Sequence, residues 1–230
     1  MSLFQSTRIL CPLCKTSFDF EAVHSVNADR RPDLRDAILL NEFQRLGCPR
    51  CGERFRLAPS FNYLDVAHDQ WIVAAPVTGV ADWEEREAAA RGLFSRSYGK
   101  NAPEAARELG GHMRPRITFG WPALREKLLI SELGLDDVVV EACKAAVMRS
   151  STDLLFNAET DLRLMNLNNG KLVMAWQRAA DGYVGDAMGV PKKLYDAIAA
   201  NEDGRWTSLR AEFDDALFVD LNRMLIAQTA

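Results

Sequence analysis

The chain has 230 residues, 48% of them hydrophobic, with a formal charge of -4 at neutral pH. It can bury a proper core, in one or two domains of about 100 to 200 residues, and disorder is excluded for most of it. Residues 1–60 carry nine Lys/Arg against seven Asp/Glu. Neither that part nor the acidic remainder offers the clustered basic face from which nucleic-acid binders draw most of their affinity. No apolar run reaches the roughly 18 to 20 residues of a membrane span. The opening MSLFQSTRILCPLC lacks a basic region followed by an apolar stretch and a cleavage site, so a cytoplasmic protein is expected.

The first element met is a tight cysteine pair, Cys11 and Cys14. The next stretch, TSFDFEAVHSV, alternates Phe18 and Phe20 with acidic residues, as a strand with one wet face does. In RPDLRDAILLNEF the period changes: Leu34, Ala37, Ile38 and Asn41 share a helical face, and Pro32 suits a first turn, where its missing N–H costs nothing. A second pair, Cys48 and Cys51, follows. ERFRLA, FNYLDVA and QWIVAAPV then read as strands of a small antiparallel sheet, with His68 and Asp69 at a hairpin tip. Residues 82–110 predict two helices around the loop SYGKNAP. The segment 116–149 predicts a short strand, a helix opened by Pro122 and stopped at Gly134, and a second helix capped by Asp136 or Asp137. The C-terminal part predicts strands near 153–166 and 171–178 across an Asn169-Gly170 turn, a helix begun by Pro191 and a final apolar segment, ALFVDLNRMLIA. The expected fold is α+β, with a zinc-ribbon-like module over 1–80, a helical region with a central hairpin over 81–150, and a mixed antiparallel extension over 151–230.

Five cysteines, four of them in two tight pairs, point to metal binding rather than to a disulfide framework. The spacing C-x2-C-x33-C-x2-C lets each pair reach one ion from a tight turn, and two such turns complete a tetrahedron. The expected ligands are Cys11, Cys14, Cys48 and Cys51, and the expected cofactor is one structural Zn2+, with iron in a rubredoxin-like site as the competitor. Proline after each leading cysteine stiffens the turn. Gly52 follows the second pair, where a positive φ is often needed, while Lys15 at the matching place must tolerate that conformation or avoid it.

These motifs resemble the CpXC domain proteins of bacteria and archaea, which are named for two Cys-Pro-x-Cys motifs. The likeness extends to VNADRRPDLRDAILLNEF, FNYLDVAHDQWIVAAP and RITFGWPALREKLLISELGLDDVVVEACK, covering residues 8 to about 150 and more weakly to 200. It implies a zinc-binding domain without an established activity and places the ligands at the same four cysteines. Lys15 departs from the glycine common after such pairs, and the tail EDGRWTSLRAEFDDALFVDLNRMLIAQTA falls outside the pattern.

No catalytic residue is assigned. A four-cysteine site is closed, whereas hydrolytic zinc keeps one position open for water. His24, His68 and His112 have no readable nucleophile partner, Cys143 reads as a small core residue beside Val139, Ala146 and Val147, and LGGHMRP lacks the lysine and strand of a phosphate loop. Three hypotheses remain. The favoured one is an adaptor that binds another protein, with Phe94, Arg96 and Tyr98 as exposed contacts. The second is a zinc-ribbon nucleic-acid binder using Arg30, Arg31 and Arg35. The third is an enzyme whose site is assembled away from the metal, which a deep polar pocket with convergent titratable groups would revive. Homo-oligomerisation is left open.

Overall fold

The computed structural model describes residues 2–150, 160–178, 182–202 and 204–226. The wet-faced strand of the sequence is β2 (Ser17–Asn27), whose second half turns apolar and buries Ala22, Val23 and Val26. A strand not anticipated, β1 (Leu3–Leu10), pairs antiparallel with it from Leu3 opposite Ser25 to Leu10 opposite Ser17. Helix α1 (Pro32–Leu39) starts on its proline and packs Leu34, Ala37 and Ile38 inward. A two-stranded ribbon, β3 (Arg45–Gly47) and β4 (Arg54–Arg56), follows. Next come β5 (Phe61–Asp65) and β6 (Gln70–Ala75), an antiparallel pair whose connecting turn holds Asp69 at φ +53°.

Two helices, α2 (Trp83–Tyr98) and α3 (Glu104–His112), lead to β7 (Arg114–Phe119). The resulting sheet has the order β1-β2-β5-β6-β7. It corrects the expectation of a small antiparallel sheet: β5 runs parallel to β2, and β7 parallel to β6. Parallel neighbours need long crossovers, and the connections carrying α1 and then α2 with α3 supply them. ERFRLA is not part of this sheet either; its strand pairs only with β3.

Helix α4 (Trp121–Glu132) holds Pro122 in its first turn and ends before Gly134, which takes φ +64°. Helix α5 (Asp137–Ser150) is capped by Asp136, whose Oδ1 accepts from the N–H groups of Val138 at 2.9 Å and Val139 at 3.2 Å. Strands β8 (Thr160–Asn168), β9 (Lys171–Arg178) and β10 (Val184–Pro191) form an antiparallel sheet. Asn169 and Gly170 both have positive φ in the first of its turns, as the right-handed twist of a tight hairpin favours. The expected stretch 153–159 lies outside the described residues. Helices α6 (Lys192–Ala200), α7 (Thr207–Ala211) and α8 (Leu221–Ile226) complete the chain. The segment before α8 buries Ala216, Leu217, Phe218 and Val219, and the Leu217 carbonyl accepts from the Ile117 N–H at 3.0 Å, beside β7.

Helix α4 is covered on both sides, which is why its sequence alternates so little between apolar and polar. Leu124 and Leu128 join Tyr63, Ile72 and Trp121 over the first sheet, while Ile130 joins Val140, Leu164 and Met174 over the second. Charged residues between them are buried as well. Glu126 accepts from Lys144 Nζ at 2.8 Å and from Arg163 Nη1 at 2.9 Å. Lys144 also reaches Glu141 at 2.7 Å, and Arg163 reaches Asp220 at 2.6 Å and Asp161 at 2.7 Å. Burial pushes Glu141 up to about 7 despite the opposing pull of Lys144. The arginine and lysine hold Glu126 below its ordinary value against the effect of burial.

Removing one partner of a buried ion pair leaves the other charged in a medium that solvates it badly. Lys144→Met should therefore lower unfolding free energy by roughly 3 to 5 kcal/mol in urea titrations at neutral pH. Glu141 gives a pH signature. Its folded value exceeds that of the unfolded chain, so its contribution is full at acidic pH and is lost as pH rises through about 7. Glu141→Gln cannot ionise, so whatever offset the loss of a Lys144 partner leaves, the stability difference between variant and native chain should shift in the variant's favour as pH rises from roughly 5 to 7.5 in paired urea titrations.

Candidate metal centre

Each cysteine pair occupies the tip of a hairpin, and the two tips are built alike. In the turn between β1 and β2, the Cys11 N–H donates to the Thr16 carbonyl at 2.9 Å and the Lys15 N–H to the Cys11 carbonyl at 3.1 Å. Between β3 and β4, the Cys48 N–H donates to the Glu53 carbonyl at 2.8 Å and the Gly52 N–H to the Cys48 carbonyl at 2.9 Å. The closing residue is left-handed in both, Gly52 at φ +74° and Lys15 at φ +58°. Lys15 thus tolerates the strained conformation, and its Nζ donates to the Pro12 carbonyl at 2.7 Å, tying its side chain across the turn.

The hairpins face one another, with Phe18 and Phe55 in edge contact at 6.4 Å between ring centres. This brings the four sulfurs within 4.8 Å of one another. Cys11 lies 3.7 Å from Cys51 and Cys14 lies 3.6 Å from Cys48, so the close contacts run across the hairpins. A disulfide would need about 2.05 Å. Thiolates held about 2.3 Å from a tetrahedral ion stand about 3.8 Å apart, which these distances approach.

Cys14 and Cys51 do not ionise alike. The Thr16 hydroxyl, 3.3 Å from the sulfur, and then the Thr16 N–H bring the Cys14 thiol down to about 6. The Glu53 N–H lowers Cys51, but desolvation and the surrounding sulfurs outweigh it and push that thiol up to about 12. Four thiolates at this spacing repel one another unless a metal ion neutralises them, so metal uptake and proton release are linked. Arg50 donates to Thr16 Oγ1 at 3.3 Å, so an arginine and a hydroxyl reach the sulfur in series. Sequence reading missed Thr16 and Arg50; only their positions just after and inside the Cys-Pro-x-Cys turns could have flagged them. Among the described residues, these four cysteines are the group placed to hold a metal ion.

The remaining candidates are scattered. His24 is half-buried on β2, its Nε2 lacking a hydrogen-bond partner among the described residues, and His112 is exposed at the end of α3. His68 Nδ1 meets Asp65 at 2.8 Å. Cys143 is fully buried on α5, and desolvation lifts its thiol to about 12, as befits a core residue. Gly110 and Gly111 lie inside α3 rather than in a phosphate loop, and Gly110 lets the helix approach Tyr98.

Phe94 and Tyr98 are half-buried, not exposed as expected: Phe94 packs against Trp71 at 5.2 Å and Tyr98 at 5.1 Å, leaving only Arg96 of that group in solvent. Of the three arginines near α1, Arg31 pairs with Asp33 at 2.7 Å and Arg35 with Glu132 at 3.2 Å. A polar cleft of about 260 Å³ does open beside His68, Arg114, Arg116, Lys127 and Asp137. Its charges are mutually satisfied, however, because Asp137 takes both Arg116 at 2.8 Å and Lys127 at 2.9 Å. Asp137 is therefore a buried counter-ion and not the cap.

A family model described as "CpXC protein" matches residues 9–144. The chain belongs to the CpXC family. No curated protein and no solved structure matches it. The span common to the CpXC family contains both hairpins, the five-stranded sheet from Ile9 onward, α4 and about half of α5.

If the sulfurs share an ion, its removal should free both hairpin tips without opening the helical core. A strong chelator should accelerate amide exchange at residues 9–18 and 45–56 by at least tenfold while residues 121–145 change little. Mass-resolved hydrogen exchange would show this. Unchanged protection at both tips would rule out the shared site.

Proposed function

We propose that one zinc ion joins the two Cys-Pro-x-Cys hairpins into a zinc-ribbon-like module with a structural role. We further propose that this CpXC protein acts by binding another protein, in the manner of an adaptor. The closed sulfur cluster carries the first part. Four thiolates fill a tetrahedral shell and leave no position for substrate or water, and zinc accepts that geometry without a preference of its own. Cys11, Cys14, Cys48 and Cys51 would hold the ion; its chemistry is to neutralise the thiolates and fix the turns.

The second part rests on the arm that the zinc would stiffen. β1 is an edge strand of the sheet, and its residues are exposed or half-exposed throughout. Natural edges are usually blunted by charges, proline or bulges. LFQSTRIL carries one charge, Arg8, and no proline, its register shift is confined to Leu3/Phe4 at the strand's start, and Leu3, Phe4 and Leu10, with Leu13 in the adjoining turn, expose 41 to 66% of their surface. An open edge flanked by apolar side chains suits strand addition by a partner. The zinc-ribbon nucleic-acid reading is weaker, since Arg31 and Arg35 already have carboxylate partners.

The purified protein should carry about one zinc per chain by elemental analysis. Affinity capture should recover a protein partner that is lost with the double variant Leu10→Lys, Leu13→Lys, which should melt normally and keep its zinc. Native iron, or two ions per chain, would contradict the zinc assignment; capture unaffected by the double variant would contradict the edge-strand interface.

A further inference from the structure

The ribbon β3–β4 places Arg45 directly opposite Arg56. Like charges at such a site destabilise a strand pair and normally bring a carboxylate between them. None arrives. Arg45, Arg56 and Arg125 of α4 line one cleft of about 300 Å³, and no Asp or Glu is among its lining residues. Among the described residues, none of the three guanidinium groups has an ion pair. Each is instead anchored through Nε to a main-chain carbonyl at the end of α1 or just after it: Arg125 to Leu39 at 3.0 Å, Arg45 to Asn41 at 2.6 Å and Arg56 to Phe43 at 2.7 Å. Capping those carbonyls accounts for the Nε atoms. It does not account for three guanidinium-bearing side chains lining one space without a carboxylate.

Arg56 is the most constrained of the three. Its guanidinium lies 3.7 Å above the Trp121 ring, and the indole N–H is fixed by the Leu57 carbonyl at 2.8 Å. Its Nη1 donates to Asn41 Oδ1, while its Nη2 is buried without a hydrogen-bond partner. A buried donor left unmatched is costly and calls for an acceptor. Desolvation, and then the charges of Arg45 and Arg125, lower this group below its ordinary value, with Glu42 offsetting them only in part. The cleft also receives the start of α4: Gly120, Trp121 and Pro122 line it, and no side chain caps that helix. Pro122 has no N–H and the Gly120 N–H donates to the Ala75 carbonyl at 2.8 Å, so the helix start adds positive potential through its dipole rather than through a cradle of free donors.

We propose that this cleft binds the phosphate of a phosphorylated small molecule, with Arg45, Arg56 and Arg125 as its ligands and the organic portion resting on the apolar wall beside Trp121. Three planar, multiply donating cations and a helix start match a dianionic phosphate better than a single carboxylate. Leu57, Pro59 and Val77 supply the apolar surface. The polar cleft near His68 lacks this character because Arg116 and Lys127 face Asp137 and Arg114 pairs with Asp136. The anion site is independent of the adaptor role, although β3 and β4 carry both Arg45 and Arg56 and flank the Cys48–Cys51 turn.

Calorimetric titration of the full, metal-loaded chain at low ionic strength tests the site, with inorganic phosphate, phenyl phosphate and benzoate as probes. Phenyl phosphate should bind once per chain and more tightly than phosphate, which in turn should exceed benzoate. Arg45→Gln, at an exposed position, and Arg125→Gln should each weaken phenyl phosphate by about ten- to a hundredfold. A thermal melt of each free variant matching the native chain would show that the fold is intact; should Arg125→Gln melt early, Arg45→Gln alone decides. No saturable binding of either phosphate probe, or affinity unchanged in Arg45→Gln, would overturn the proposal. Benzoate binding as tightly as phenyl phosphate would overturn the phosphate assignment. Single-stranded oligonucleotide binding tighter than both, with the steep salt dependence of many phosphate contacts, would overturn the small-molecule assignment.

Discussion

Glu126 sits where the halves of the molecule meet, and the placement of the rest depends on keeping it paired. It projects from a helix buried on both sides, takes Lys144 from α5 and Arg163 from β8, and through Arg163 is joined to Asp220 before α8. An apolar residue there would have packed more cheaply, because desolvating ions commonly costs as much as their attraction returns. What the ions add is selectivity. Leucines can slide against a neighbouring sheet, but a carboxylate with two fixed cationic partners accepts one registry of α4 against α5 and β8.

That registry matters to the metal hairpins at one remove. α4 lays Trp121, Leu124 and Leu128 over the first sheet, and Trp121 closes on Phe43 and Phe61 at 5.8 Å each. Phe43 lies just before β3. The second cysteine turn is thus seated on an aromatic cluster supported by the helix, and the first is carried on a ribbon extending from the same sheet. Neither turn has much core of its own, so an ion shared by the four sulfurs would add the link between the tips that packing does not supply.

Local chemistry made part of this legible in sequence. The cysteine spacing, Pro32 at a helix start, Gly134 at a stop and the Asn169-Gly170 hairpin each act over a few residues, and the structure contains them where they were read. β1 was missed because LFQSTRIL has no clear alternation, being exposed almost throughout. The parallel pairings were missed since they depend on which strand a crossover helix returns to, a choice no local pattern encodes. The cap was read as Asp136 or Asp137, and it is Asp136; local pattern could not separate them, because the partners that occupy Asp137, Arg116 and Lys127, lie on a different strand and helix. The arginine cleft has the same character, with members at 45, 56 and 125 that meet only after the fold is complete. Among the four cysteines the relation was visible because two of the three gaps are tight turns.

The place of Asp220 has a consequence for how the chain is made. A polypeptide leaves the ribosome from its N-terminus, and domains commonly fold in that order as they emerge. Here Arg163 lies on β8, well after Glu126, and its counter-ion Asp220 comes later still. Until Asp220 is free, Arg163 lacks one of its carboxylate partners, although Glu126 already has Lys144 and Leu124 and Leu128 already rest on the first sheet. The five-stranded sheet can assemble early, but the arginine that ties its covering helix to β8 is fully paired only after residue 220 has emerged. The C-terminal segment therefore acts as a clasp, closed after the parts it fastens.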